Sequence, residues 1–490
     1  MALALLCALA VGMALWQAVG DAPSTDEPLY VTDGLGALER HSLRLNPQHP
    51  PLAKALAAVP VLFAHPALPA RFDRRHGRPY SRAFLNGLFR SHQLREVTLL
   101  ARLVPVLELA LTVLAVYALA RRLAGPAGGL LAAALWALDP FVIGLGHVDG
   151  IDLPATLVAL GLALALVRWL EQRTPGRLIT VGAVCGAALV VRDTGPLLVA
   201  VGVVTVGVAA RDLRPALVVS ALAYAVVWAV YGALDPAYTL QHLNVLPQRY
   251  LDGLGRLEAL HRRPAAAFLL GHHYRGGRWW YYGVSMIIKL PVTLLVSYAL
   301  APLFMRRVAS AERRRVLVAV LPAALVLGAF TVATPVNLGL RYMLPVLALA
   351  TVCVAPLVRA PRALPILLVL GSAAFTVASL PHSTAWVSPP FEPGYRVVTA
   401  DNLDWGQDAF RLQRWAAGRR AWVGCYSPWR RCARVIPGAH ALRKDTPRSS
   451  VHGWLGISAS LVYLHGWDPW LLHLEPVGTL GGTELLYRVR

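Results

Sequence analysis

Residues 1–30 read MALALLCALAVGMALWQAVGDAPSTDEPLY. The first twenty carry no charged side chain, and a run of ~20 apolar residues matches the hydrocarbon core of a bilayer. The run lacks the positively charged start and the small-residue cleavage site of a signal peptide, so it is expected to remain as a first membrane helix. The turn that follows, STDEPLY at 24–30, has two readings. Ser24 with Glu27 fits the S-x-x-E capping box, in which side chains satisfy the free N–H groups of a helix start. Asp26, which that box leaves free, reads with Glu27 as a catalytic acid pair at a membrane surface.

The rest of the chain favours a membrane setting. Its 490 residues are 56% hydrophobic and 15% charged, with a mean hydropathy of +0.52, whereas soluble domains run nearer a quarter charged. The net charge of +21 does not point to nucleic acid, because the arginines are scattered between apolar runs and not gathered on one basic face. Anionic lipid head groups account for them more simply. Lysine occurs only at Lys54, Lys289 and Lys444. Cys7, Cys185 and Cys353 lie within apolar runs and read as small hydrophobes. Cys425 and Cys432, in CYSPWRRC, suit a short disulfide loop if the tail faces an oxidising compartment.

Further apolar runs fall near 99–120, 127–146, 153–170, 178–191, 196–210, 214–233, 283–304, 316–333, 342–358 and 363–380. With 1–20 they make about eleven expected transmembrane helices, of which 178–191 and 196–210 are short and could form one re-entrant hairpin. The expected fold is thus a polytopic α-helical membrane protein. Residues 1–382 form its membrane domain, with long polar loops at 21–97 and 234–281. Residues 383–490 form a small extracytoplasmic α/β domain, with a helix over 404–417 and strands at RAWVGCYS and GTELLYRVR. Alternate short loops carry Arg121–Arg122, Arg173 and Arg177, Arg211 and Arg214, Arg306 to Arg315, and Arg359 and Arg362. The positive-inside rule makes these cytoplasmic. The N-terminus is then inside, and both long loops and the tail lie outside, as in a bacterial inner or plasma membrane protein.

The informative polar residues all belong to that outer side. After STDEPLY come NPQHPPLAKALAAVPVLF at 46–63, GHVDGIDLP at 146–154 and RDTGP at 192–196. GGRWWYYGVSMIIKLP at 276–291, TPVNLGLRYMLP at 334–345 and DNLDWGQD at 401–408 complete the set. Carboxylates (Asp26, Glu27, Asp152) and cations (Lys54, Arg192, Lys289, Arg341) recur at one membrane depth. Transfer from a lipid-linked phosphate needs both: a carboxylate takes the acceptor's proton, and cations stabilise the departing phosphate. Each motif also has a plainer reading. HPPL can be a helix start, WWYY an interfacial belt, Arg341 and Lys289 snorkelling cations, and Asp404 with Gln407 a second capping box.

Taken in order, DEPLY, NPQHPPLAK, GIDLP, GGRWWYY…KLP, NLGLRYMLP and DNLDWGQD resemble the GT-C glycosyltransferases of family 39. These are the protein O-mannosyltransferase and aminoarabinose-transferase kind, and the likeness is to bacterial members with a C-terminal outer domain. The resemblance implies an integral-membrane hexosyl- or pentosyltransferase that uses a polyprenyl-phosphate sugar and inverts the anomeric carbon. Its acceptor would be a hydroxyl on a protein, lipid or glycan. On that resemblance Asp26 is the base and Glu27 completes the pair. His49 and Lys54 match the HPPL-x-K element, and Asp152 matches the second outer-loop acid. Lys289 and Arg341, with Tyr342 beside it, match positions near the donor phosphate. Where relatives show a Thr-Lys or Ser-Lys turn, this chain has Arg192-Asp193, so Arg192 is a phosphate ligand with an acid beside it. Some relatives bind a divalent metal, for which Asp26, Glu27 and His49 are the candidate ligands. The alternative from another class is a lipid or sugar transporter or flippase, which would place its polar groups nearer the bilayer midplane.

Overall fold

Six helices are long and apolar enough to cross a membrane: Ala2–Gly20, Leu94–Ala137, Asp152–Glu171, Leu213–Leu234, Ser310–Ala333 and Leu340–Arg359. They come from a computed structural model that describes residues 1–69, 78–426, 428, 432–444, 446–467 and 469–490. Residues 70–77 of the loop 21–97, and most of CYSPWRRC between its cysteines, lie outside that range.

The 44-residue assignment Leu94–Ala137 is broken where Ala124 and Gly125 leave helical geometry, just before Pro126. The Trp136 indole N–H donates to Thr112 Oγ1 at 2.9 Å. In a straight helix those residues would stand roughly 36 Å apart. The chain therefore folds back here, and the runs 99–120 and 127–146 are separate antiparallel segments.

The run 283–304 is not the single span expected. It splits into Tyr281–Lys289 and Val292–Met305, bent by 119°. Leu290 is extended and Pro291 follows it, since a residue before proline is pushed out of the helical region and proline offers no N–H. Pro175–Val191 and Gly195–Ala210 have 17 and 16 residues, or roughly 25 Å against the ~30 Å of a bilayer core. With Leu52–Ala64 and Ala363–Ser379 they are apolar helices below spanning length. With Leu94–Ala137 taken as one helix, length and composition give six spans among the described residues, or seven if the bent pair counts as one; the fold-back at Gly125 divides that helix in two.

The loop 21–97 is built from helices Glu27–Arg40, Leu52–Ala58 and Arg78–Arg90. Leu56, Val59 and Phe63 are exposed along one short stretch, the pattern of a segment lying on a membrane surface. In the loop 234–281, strands β1 (Ala266–Leu269) and β2 (His272–Arg275) form an antiparallel hairpin. Its turn residues Leu270 and Gly271 both take positive φ, as a two-residue I′ turn requires.

The C-terminal residues form a second sheet from β3 (Ala421–Gly424), β4 (His440–Ala441), β5 (Gly453–Ser458), β6 (Gly478–Leu480) and β7 (Glu484–Val489). The strand order is β4-β3-β5-β7-β6, parallel from β4 to β5 and antiparallel beyond. Both predicted strands are present. The helix predicted over 404–417 is shorter, Ala409–Ala416, because Asp404 is used elsewhere. Its carboxylate accepts from Ser458 Oγ and from the Ser460 and Gly406 N–H groups. Cys425 and Cys432 are disulfide-bonded.

Candidate active site

Helix Glu27–Arg40 begins at Glu27, with Pro28 just inside its start, where a missing N–H costs nothing. The capping box forms only in part: Glu27 Oε2 accepts the Ser24 N–H at 2.6 Å, while Ser24 Oγ has no partner. Glu27 is turned into the fold and not outward with Asp26. It is buried, and its two oxygens bind Arg102 at 2.8 and 2.9 Å and the Asp149 N–H at 3.1 Å. Burial raises its pKa, but Arg102 outweighs burial and holds the carboxyl below the usual range. Arg102 also donates to the carbonyls of Ala18, Asp21 and Ala22. The pair thus fixes the turn from the inside and leaves Asp26 facing out.

A second support comes from some 380 residues downstream. The Ala22 N–H donates to the Gln407 carbonyl at 2.7 Å and the Thr25 N–H to the Trp405 carbonyl at 2.9 Å. Residues 22–25 and 405–407 are therefore joined by two backbone hydrogen bonds. Arg411 completes the contact by binding Asp21 at 2.7 Å, and Asp21 also meets His147 Nε2 at 3.1 Å. Gln407 does not cap a helix; its side-chain oxygen accepts the Trp405 N–H and its amide donates to the Leu403 carbonyl.

Arg341 stands at the centre. Its Nη2 reaches Asp26 Oδ2 at 3.2 Å and Asp401 Oδ2 at 2.9 Å, and its Nη1 reaches Asp152 Oδ2 at 3.3 Å. Asp152 Oδ1 in turn accepts from Arg192 Nη1 at 2.7 Å. The Tyr342 ring lies between the two guanidiniums, 4.8 Å from Arg192 and 5.2 Å from Arg341, and Trp405 covers Arg341 at 4.4 Å. Gly339 sets this up: its φ is +93°, and a Cβ there would lie 2.6 Å from that of Asp401. Only glycine admits both. Burial raises the Asp401 pKa, against the pull of Arg341. The Nε groups of Arg192 and Arg341 are buried and make no hydrogen bond among the described residues.

The remaining expectations divide. His49 lines the same cavity as Asp26, with Nδ1 3.8 Å from Asp193 Oδ1. Asp193 also lies 3.7 Å from Arg192 Nε. Burial raises its pKa, but His49 and Arg192 bring it down to about 2. Lys54 does not reach the cavity. Its ammonium is buried and binds Asp33 at 2.5 Å and the carbonyls of Asn46 and His49 at 2.7 and 2.8 Å, which uses all three of its donors. Gly34 permits this, since a Cβ there would lie 2.1 Å from the Lys54 carbonyl oxygen. Lys289 is also elsewhere, buried and donating to the carbonyls of Thr384 and Trp386.

Asp26, His49, Arg341, Tyr342 and Asp401 line one cavity of about 350 Å³. Arg78 and Arg263 line it too, so three arginines face two aspartates. Arg78 Nη2 is 3.5 Å from Asp26 Oδ1. A narrow groove beside it joins Arg192 and Asp193 to apolar Leu327 and Phe330 of helix Ser310–Ala333, and shares Tyr342 with the cavity. Asp401, Arg78 and Arg263 were not singled out from sequence. Asp401 sits in a recognised motif, whereas the two arginines look like any other in this chain. The residues present do not fit a metal: among the described residues no three His, Cys, Asp or Glu side chains gather, and Glu27 is turned to Arg102.

Residues 89–234 match the family model for dolichyl-phosphate-mannose-protein mannosyltransferase. Solved structures share the fold along most of the chain. ArnT from Cupriavidus metallidurans in the apo state is 16% identical, the match covering 84% of this chain and 67% of that one at a TM-score of 0.50. The chain shares the fold of ArnT and is similar to that mannosyltransferase family over residues 89–234. ArnT bound to undecaprenyl phosphate is 12% identical, the match covering 99% of this chain and 97% of that one at a TM-score of 0.52. The Archaeoglobus fulgidus oligosaccharyltransferase in complex with Zn and sulfate is 11% identical, covering 96% and 70% at 0.50. No curated protein matches the sequence.

Proposed function

We propose that this protein is an inverting glycosyltransferase of the GT-C kind, moving a sugar from a polyprenyl-phosphate donor to a hydroxyl acceptor. The observation that carries the reading is Asp26, open to the cavity and 3.2 Å from Arg341. Asp26 takes the acceptor's proton, and the acceptor oxygen bonds to the anomeric carbon. The bond from that carbon to the phosphate oxygen breaks on the opposite face, and the electron pair leaves with the phosphate. Attack opposite the leaving group inverts the centre. The phosphate is held by Arg341 and Arg192, whose buried Nε donors are otherwise unfilled, and a buried donor without an acceptor is costly. The apolar groove at Leu327 and Phe330 suits the first part of the lipid chain. Lys54 and Lys289 serve the scaffold.

The short Arg-bearing loops support an N-terminus in the cytoplasm and a catalytic face outside, with 383–490 as a covering domain. The test is Asp26→Asn in purified protein supplied with a polyprenyl-phosphate sugar. Loss of transfer of a hundredfold or more, with unchanged thermal stability, is expected. Retained transfer would remove Asp26 from the mechanism.

A further inference from the structure

Beside the candidate active site lies a second, more open cavity of about 620 Å³. The two share a wall made by Ala266, Phe268, Leu464 and His465. The wall follows from the register of the β1–β2 hairpin. Ala266 pairs with Arg275 and Phe268 with His273, so these four side chains share one face of the ribbon, as alternate residues do. That face turns toward the C-terminal residues, where His273 Nε2 meets the Leu464 carbonyl at 3.0 Å.

The second cavity is basic. Arg275, Arg396 and Lys444 line it together with His273 and His465, and no carboxylate is among its described lining residues. Arg396 pairs with Glu475, which is itself largely exposed. Arg275 and Lys444 have no ion pair among the described residues. Cations grouped on one wall of a concave site concentrate anions there, and a guanidinium can fork onto a phosphate or carboxylate.

We propose that this cavity binds a phosphate or carboxylate group carried by the acceptor and so presents a nearby hydroxyl across the shared wall to Asp26. This rests on the glycosyltransferase reading and adds the acceptor's charge to it.

The test uses the full chain in nanodiscs and the double variant R275E/K444E. One arm measures binding of a phosphorylated oligomannoside against its dephosphorylated form in phosphatidylcholine discs. The other compares phosphatidylglycerol-containing discs with pure phosphatidylcholine discs, reading protein thermal shift. A preference of roughly tenfold for the phosphorylated glycan, weakened by salt and lost in the double variant, supports a soluble anionic acceptor. A response only to phosphatidylglycerol, also lost in the variant, supports the same site with a lipid-borne anion. No discrimination in either arm, or discrimination that survives R275E/K444E, overturns the proposal. The variant must keep the wild-type melting temperature and the stabilisation by undecaprenyl phosphate; R275Q/K444Q serves if charge reversal misfolds. D26N separates the two readings: transfer surviving in D26N would sink the catalytic role and leave anion binding as measured.

Discussion

Asp26 and Arg341 are 315 residues apart in the chain and 3.2 Å apart in space. Arg341 also reaches Asp152 and Asp401, so one guanidinium gathers three carboxylates from three distant segments. A lysine cannot reproduce that fork, because its charge is a point on a flexible stem. Arg341→Lys is expected to lower kcat by a hundredfold or more while the protein still inserts and folds. Initial-rate kinetics on the purified variant check this, and a loss below about fivefold would remove Arg341 from the proposed phosphate site.

Glu27 and Asp26 are neighbours in sequence with opposite expectations. Removing the Glu27 charge leaves Arg102 buried and unpaired, at a cost of about 3 kcal/mol or more. Glu27→Gln should therefore lower the unfolding midpoint clearly, and the fraction that remains folded should transfer sugar at near wild-type kcat. Asp26→Asn should do the reverse. Denaturation and active-site-normalised rates on both variants separate a structural carboxylate from a catalytic one.

Lys54 and Asp33 are both almost wholly buried, 2.5 Å apart. Lys54→Met strands the Asp33 charge and should cost about 3–5 kcal/mol. Lys54→Met with Asp33→Asn keeps the Asn46 N–H partnered by the side-chain oxygen and should recover more than half of that loss. Chemical denaturation of the single and double variants measures the coupling. Additive losses would show that the pair is not what holds the two helices together.

Asp193 gives a pH signature. Its pKa falls from 3.8 to about 2 in the folded protein, so the folded state favours the ionised form. The resulting stability, roughly 2 kcal/mol, is fully present above pH 4 and is lost as pH falls through about 2. Asp193→Asn should flatten stability against pH in that window and leave it unchanged in shape at higher pH. Thermal melts between pH 2 and 5 test it.

The sequence located much of this site through motif and membrane side. Asp26, His49, Asp152, Arg192, Arg341 and Tyr342 do come together. Glu27, Lys54 and Lys289 do not join them, for one physical reason. A motif shows that a charge is present but not which charge or carbonyl faces it across the fold. Arg102 lies inside an apolar run and Asp33 in the middle of a helix, and neither position advertises a partner. The run 283–304 departed from its expected single helix for a different reason. Hydropathy sums residues without regard to geometry, so the break at Leu290–Pro291 was hidden inside a continuous apolar run. The C-terminal strands were legible from their alternation, whereas Asp404 was misread as a cap because the groups that donate to it, Ser458 and Ser460, lie some fifty residues away.

The docking of residues 403–407 on 22–25 sets an order of events during synthesis. Asp401 and Trp405 are made some 60 residues after Arg341 and some 375 after Asp26. A nascent chain therefore carries Asp26 and Arg341 while the wall that encloses them is still being translated. On the proposed function, transfer is expected only once the last fifth of the protein has folded back onto the first thirty residues, so a chain that stalls early should be inserted yet silent.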